Sequence, residues 1–147
     1  MTTVDCMSPS RVDDGTTTRA REAAPQVLVI DDDPTHRTLI VRLAQKLGYG
    51  TVEAGTVVQA VDLITTRQFD CMTLDLNMGA QYGAELLGIM NSRQPNIPVI
   101  VISSAGDDER WDVLRTASLY GIRITEVPKP LDVGMLRDVF MELKDVV

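Results

Sequence analysis

Positive charge is outweighed in this sequence. Fourteen Lys and Arg face 21 Asp and Glu, a formal net charge of −7. Nucleic acids and anionic membranes are bound through clustered cations, so neither is an expected partner. Histidine occurs once and cysteine twice, at Cys6 and Cys71, without clustering. That leaves no thiolate and imidazole set for zinc. The two cysteines fall in a polar N-terminal stretch and in an apolar segment, so no disulfide is expected between them, and a reducing cytoplasm suits both. No apolar run approaches the ~20 residues that cross a bilayer, and the N-terminus has no apolar block of the secretory kind. Internal repeats are absent too.

What is present fits one domain. Hydrophobic residues make up 44% of the 147, a usual globular level. Residues 1–24 are rich in Ser, Thr, Asp and Arg without apolar periodicity and read as a flexible tail. Pro25 marks the boundary, and residues 25–147 form the domain. Within it, short apolar runs alternate with helical patterns. The runs are Val27–Ile30, Thr51–Ala54, Phe69–Leu74, Pro98–Ile102 and Ile122–Val127. The first is continuously apolar and β-branched, as in a strand covered on both faces. Asp33 before Pro34 has the form of an N-cap followed by proline at the first helical position. The first helix turns Leu39, Ile40, Leu43, Ala44 and Leu47 to one side and stops at Gly48. Further helices are expected over 55–67, 83–92, 107–120 and 131–146. Their inward residues include Val57, Val58, Val61 and Ile64, then Trp111, Leu114 and Leu119, then Leu136, Val139, Phe140 and Leu143. His36 is expected on the exposed side of the first helix, and Cys71 as a small core residue.

Five strands alternating with five helices predict an α/β fold: a doubly wound, three-layer (βα)5 sandwich of flavodoxin-like strand order 2-1-3-4-5. In that order the carboxyl tips of four strands bring Asp31 and Asp32, Asp75, Ser103 and Lys129 to one edge. Clustered carboxylates repel unless a cation sits among them. Oxygen-only ligation at a wet edge suits Mg²⁺. Asp75, single and central at the end of Cys71–Asp75, is the nucleophile candidate toward a phosphoryl group; Asp31 and Asp32, adjacent and paired, suit the metal. Ser103 and Lys129 would hold the remaining phosphoryl oxygens.

These residues together resemble the receiver domain of bacterial response regulators, the CheY-like family in its stand-alone form, over roughly 26–146. The resemblance rests on Asp31-Asp32, Asp75, Asn77 two places on, Gly83, Ser103 and Lys129-Pro130. It implies phosphotransfer to Asp75 from a histidine kinase or a histidine phosphotransfer protein, with Mg²⁺ held by Asp31, Asp32, Asp75 and the Asn77 carbonyl. It also implies a cis Lys129–Pro130 bond, output through a downstream effector protein, and a face of the fourth helix, fifth strand and fifth helix on which homodimers form. Such a domain is not an enzyme toward other molecules; it catalyses only its own phosphorylation and dephosphorylation. The sequence stops after the fifth helix, so no output domain is expected to follow.

Four positions depart from the family pattern. Gly79 stands where proline is usual, which should loosen that loop. Ser103 replaces the commoner threonine, and Leu131 a common phenylalanine. Glu126 takes the place of an aromatic that often turns inward on activation, and a carboxylate cannot be buried there in the same way. The alternative is a receiver-like interaction module that works without phosphorylation. A phosphatase of the haloacid dehalogenase type would want aspartate at position 77, and a flavodoxin would not place three aspartates in its phosphate loop.

Overall fold

The computed structural model of the chain describes residues 24–78, 80–104 and 107–146, without the side chains of residues 80, 81, 107–109 and 146. The expected tail over 1–23 and the expected loosening at Gly79 lie outside the described residues.

Five parallel strands form one sheet in the order β2-β1-β3-β4-β5. They are β1 (Gln26–Ile30), β2 (Gly50–Ala54), β3 (Cys71–Asp75), β4 (Val99–Ser103) and β5 (Ile124–Pro128). The helices are α1 (Pro34–Lys46), α2 (Val57–Thr66), α3 (Ala80–Arg93), α4 (Asp107–Tyr120) and α5 (Val133–Val146). The expected fold class is therefore the observed one. No helix among the described residues is long and apolar enough to cross a membrane.

The central strands are mostly apolar because both faces are covered. Alternate residues serve alternate cores. Leu28, Ile30, Met72, Leu74, Val99 and Val101 pack toward α2, α3 and α4, where they meet Ile64, Leu86, Leu87 and Val113. Val27, Val29, Cys71, Ile100 and Ile102 pack toward α1 and α5, against Ile40, Ala44, Leu136 and Phe140. Burial pushes the Cys71 thiol up to about 12, so it is a core residue and not a nucleophile.

Thr73 sits between Val29 and Ile100 in register, fully buried, and its hydroxyl has no hydrogen-bond partner among the described residues. A buried hydroxyl without a partner costs about 1–3 kcal/mol. Thr73→Val keeps the shape and removes that cost. It is expected to stabilise the fold by about 1 kcal/mol in a urea melt, and a loss of stability would show that the hydroxyl is satisfied in solution.

Helix ends follow their local chemistry. Asp33 caps α1, its side chain accepting from the N–H groups of Thr35 and His36. Thr56 caps α2 through the Gln59 N–H at 3.1 Å. Gly48 closes α1 at φ +94°, a conformation that favours glycine. One tie is less obvious. Gln94, buried just past α3, accepts from the Phe69 N–H at 2.8 Å and donates to the carbonyls of Ile64 and Arg67. It fastens the end of α2 and the entry to β3.

Several side chains lie elsewhere than their periodicity suggests. Val58 and Leu119 are both 79% exposed and Trp111 is 54% exposed, although each was expected inward; Leu39 is also exposed. Val113 and Ala117 supply the core side of α4 instead, and Ala60 and Ile64 that of α2. α3 begins at Ala80, three residues before Gly83, after a 3-10 turn over Leu76–Met78. Gly83 is thus inside the helix and not at its start. A Cβ there would come within 3.2–3.5 Å of Leu76, Val113 and Leu74, so its bareness allows α3 to lie close to β3 and α4.

Candidate functional site

β1 and β3 are neighbours, and chain connections leave them in opposite directions: β1 toward β2, β3 toward β4. Such a switch point opens a crevice beyond the strand ends. Register pairs Ile30 with Leu74, so Asp31 and Asp75, one residue on, face each other across the seam. Both are buried, at 0% and 2% exposure. Asp32 is exposed. Successive residues leaving a strand point to opposite sides, so the adjacent pair divides into one inward and one outward carboxylate.

Each inward carboxylate is held by specific donors. Asp75 Oδ1 accepts from Lys129 Nζ at 2.9 Å and from the Asn77 N–H at 2.9 Å. Asp75 Oδ2 has no donor among the described residues. Asp31 Oδ1 accepts from the Asp33 N–H at 2.9 Å, and its Oδ2 bonds to Nδ1 of His36. Burial pushes the Asp31 carboxyl above its ordinary value. The bonds from His36 and the Asp33 N–H oppose that rise, and the neighbouring Asp75 adds to it.

The β1 side of the pocket is braced. Arg37 donates from one nitrogen to the Asp31 carbonyl at 2.7 Å and from Nε to Glu53 at 2.9 Å, and the Asp31 N–H donates to the Ala54 carbonyl at 3.1 Å. On the other side Lys129 reaches past the tip of β4 to Asp75. Its own N–H donates to the Ser103 carbonyl at 3.1 Å, which sets the half-buried Ser103 beside the same opening. The Lys129–Pro130 bond is cis, as the resemblance implied. Glu126 is exposed and paired with Arg110 Nε at 3.4 Å, and Leu131 is partly buried against the α1 and α5 core.

The structure thus gathers Asp31, Asp75, Ser103 and Lys129 at one edge, with Asn77 following and Asp32 at the rim. His36 is the residue that sequence reasoning placed wrongly. Its ring is 17% exposed and turned into the pocket, because the Asp33 cap starts α1 with this side facing Asp31. Oxygens of Asp31 and Asp75 and a ring nitrogen of His36 all lie within 4.8 Å of one another, near enough to share a cation.

A buried acidic pair at the switch point of a five-stranded doubly wound sheet, faced by a lysine just past the last strand, defines an α/β module with a charged crevice at its carboxyl edge. Residues 27–139 match the response regulator receiver domain family, and the chain belongs to it. It is 30% identical over 113 residues to the sporulation initiation phosphotransferase F of Bacillus subtilis (strain 168), covering 77% of this chain and 88% of that protein. Among solved structures, the receiver domain of the Francisella response regulator 1452 aligns with a TM-score of 0.69 at 26% identity, over 83% of this chain and 98% of that one. The receiver domain of the sensor histidine kinase PA1611 from Pseudomonas aeruginosa PAO1 aligns with a TM-score of 0.70 at 19% identity, over 84% of this chain and 99% of that one. In that structure a magnesium ion is coordinated in the active site cleft.

Proposed function

We propose that this receiver domain takes a phosphoryl group onto Asp75 from a histidine kinase or a histidine phosphotransfer protein and passes the signal to a downstream effector protein. The observation that carries the reading is Asp75 itself, 2% exposed, bonded to Lys129 through one oxygen only and facing the Asp31 carboxylate. In the transfer, an Asp75 oxygen forms a bond to phosphorus while the bond from phosphorus to the donor's imidazole nitrogen breaks, leaving an acyl phosphate. Lys129 Nζ, already at Asp75, holds one of the phosphoryl oxygens, and the Ser103 hydroxyl holds another. Asp31 and Asp75, with Asp32 at the rim and the Asn77 carbonyl, are the groups for Mg²⁺, which would offset the negative charge gathered there. The buried carboxylates fit a divalent cation because one ammonium faces two acidic groups. The domain acts on no molecule but itself. A cytoplasmic setting accords with this reading. The α4–β5–α5 face, where Trp111 stands exposed beside the Arg110–Glu126 pair, suits either the effector or a second copy.

Acetyl phosphate, a small acyl phosphate donor, tests this directly. Intact-mass measurement should find one added phosphoryl group in the presence of Mg²⁺ and none after chelation. Asp75→Asn should abolish it while the circular dichroism spectrum stays unchanged. Labelling of that variant at the wild-type level would move the nucleophile elsewhere. A folded wild type that is never labelled, by acetyl phosphate or by a phosphorylated histidine donor, would favour an interaction module that works without phosphorylation.

A further inference from the structure

The pocket contains one more metal-ligating atom than an oxygen-only site requires. His36 presents its imidazole from the first turn of α1, and that turn is fixed by the Asp33 cap and by Arg37, which ties the next residue to the Asp31 carbonyl. Its ring nitrogen and the oxygens of Asp31 and Asp75 are mutually within 4.8 Å. Asp75 Oδ2 is buried with no donor, so the cluster contains an acceptor that the described side chains leave unmet. Lys129 supplies one positive charge, to Asp75 Oδ1, against two buried carboxylates.

We infer that His36 is a nitrogen ligand in this pocket and that the site takes a first-row transition-metal dication in preference to Mg²⁺. The inference rests on the reading of the pocket as a divalent-cation site and goes on to name the class of cation. Mg²⁺ is hard, prefers oxygen and keeps several waters. Imidazole suits cobalt, nickel, zinc and iron, whose affinity for mixed nitrogen and oxygen sites rises along the Irving–Williams order. Both inward carboxylates are almost fully buried, whereas Mg²⁺ retains a shell of several waters. A softer cation can replace that shell with the His36 nitrogen. On binding, the cation takes the place of the direct contact between His36 Nδ1 and Asp31 Oδ2.

Calorimetric titration of the full chain with Mg²⁺ and separately with Co²⁺, together with electron-spin-echo spectroscopy of bound Mn²⁺, decides the matter. Co²⁺ should bind the wild type at least about a hundredfold more tightly than Mg²⁺, and His36→Gln should cut the Co²⁺ affinity by about tenfold or more with little change for Mg²⁺. Bound Mn²⁺ in the wild type should show the ¹⁴N modulation of a directly coordinated imidazole, a readout that needs no variant to fold. Mg²⁺ binding accompanied by no nitrogen signal, or an equal loss of both metals in His36→Gln, would overturn the inference and leave His36 as a hydrogen-bond partner of Asp31. Failure of every divalent cation to bind would instead overturn the reading of the pocket as a cation site.

Discussion

Lys129→Met should slow the labelling of Asp75 by acetyl phosphate by about 10²–10³-fold, the usual cost of removing one fixed donor from a site where negative charge develops. The same change should destabilise the metal-free protein. Lys129 is largely buried and its ammonium lies 2.9 Å from a carboxylate that is almost fully buried. Removing one partner of a buried pair costs roughly 3–5 kcal/mol, because the other charge is left uncompensated. The lower end applies here, since the Asn77 N–H still serves Asp75 Oδ1 and the rim is open to water. For a domain of this size about 3 kcal/mol corresponds to a fall in Tm of roughly 10 °C. The double variant Lys129→Met with Asp75→Asn should recover most of the loss, as a neutral amide needs no countercharge. If the double variant melts no higher than Lys129→Met alone, the destabilisation comes from packing of the lysine stem and not from its charge.

The second large effect is expected far from the chemistry. Gln94→Leu fits the volume of the glutamine but removes three hydrogen bonds at once, those of the Phe69 N–H and of the Ile64 and Arg67 carbonyls. Each buried group left without a partner costs about 1–3 kcal/mol, and some will find water at the exposed turn around Arg67 and Gln68. A net loss of about 2–4 kcal/mol in chemical denaturation is expected. Labelling at Asp75 should be unaffected where the variant is folded, because Gln94 lies at the amino end of β3 and Asp75 at its carboxyl end. A loss below about 1 kcal/mol would mean that water replaces all three bonds.

The strands were legible in the sequence for a simple reason: both faces of a parallel sheet are covered, so β1, β3 and β4 are mostly apolar, Gln26 and Thr73 apart, until the chain reaches the crevice. The residues at which those runs end, Asp31, Asp75 and Ser103, were visible for the same reason. Helix faces were less legible. α2 and α4 contact the sheet through narrow stripes containing Ala60 and Ala117, and these small residues leave Val58, Leu119 and Trp111 in solvent although the period includes them. Adjacency in sequence also misled where strand alternation intervenes. Asp31 and Asp32 read as a pair, yet one is buried and the other exposed. Gln94 gave no signal, because its role depends on two backbone segments that only the tertiary fold brings together. His36 was hidden by the cap: whether the first helical turn faces a strand tip depends on the angle at which the chain enters α1, and no periodicity records that angle.

The contact between Lys129 and Asp75 joins positions 54 residues apart, with all of β4 between them in the sheet. A ribosome delivers Asp31 and Asp75 well before it delivers the lysine. Domains synthesised from the amino end begin to organise before the rest of the chain emerges. A nascent chain that has aligned β1 with β3 therefore carries two acidic groups at one seam before the ammonium that pairs with Asp75 has been delivered. The seam gains that charge only when β5 docks against β4, as the last strand of the sheet. Asp75 is in this sense locked by completeness: the ammonium that pairs with it is also the proof that the chain has been made and folded as far as its final strand.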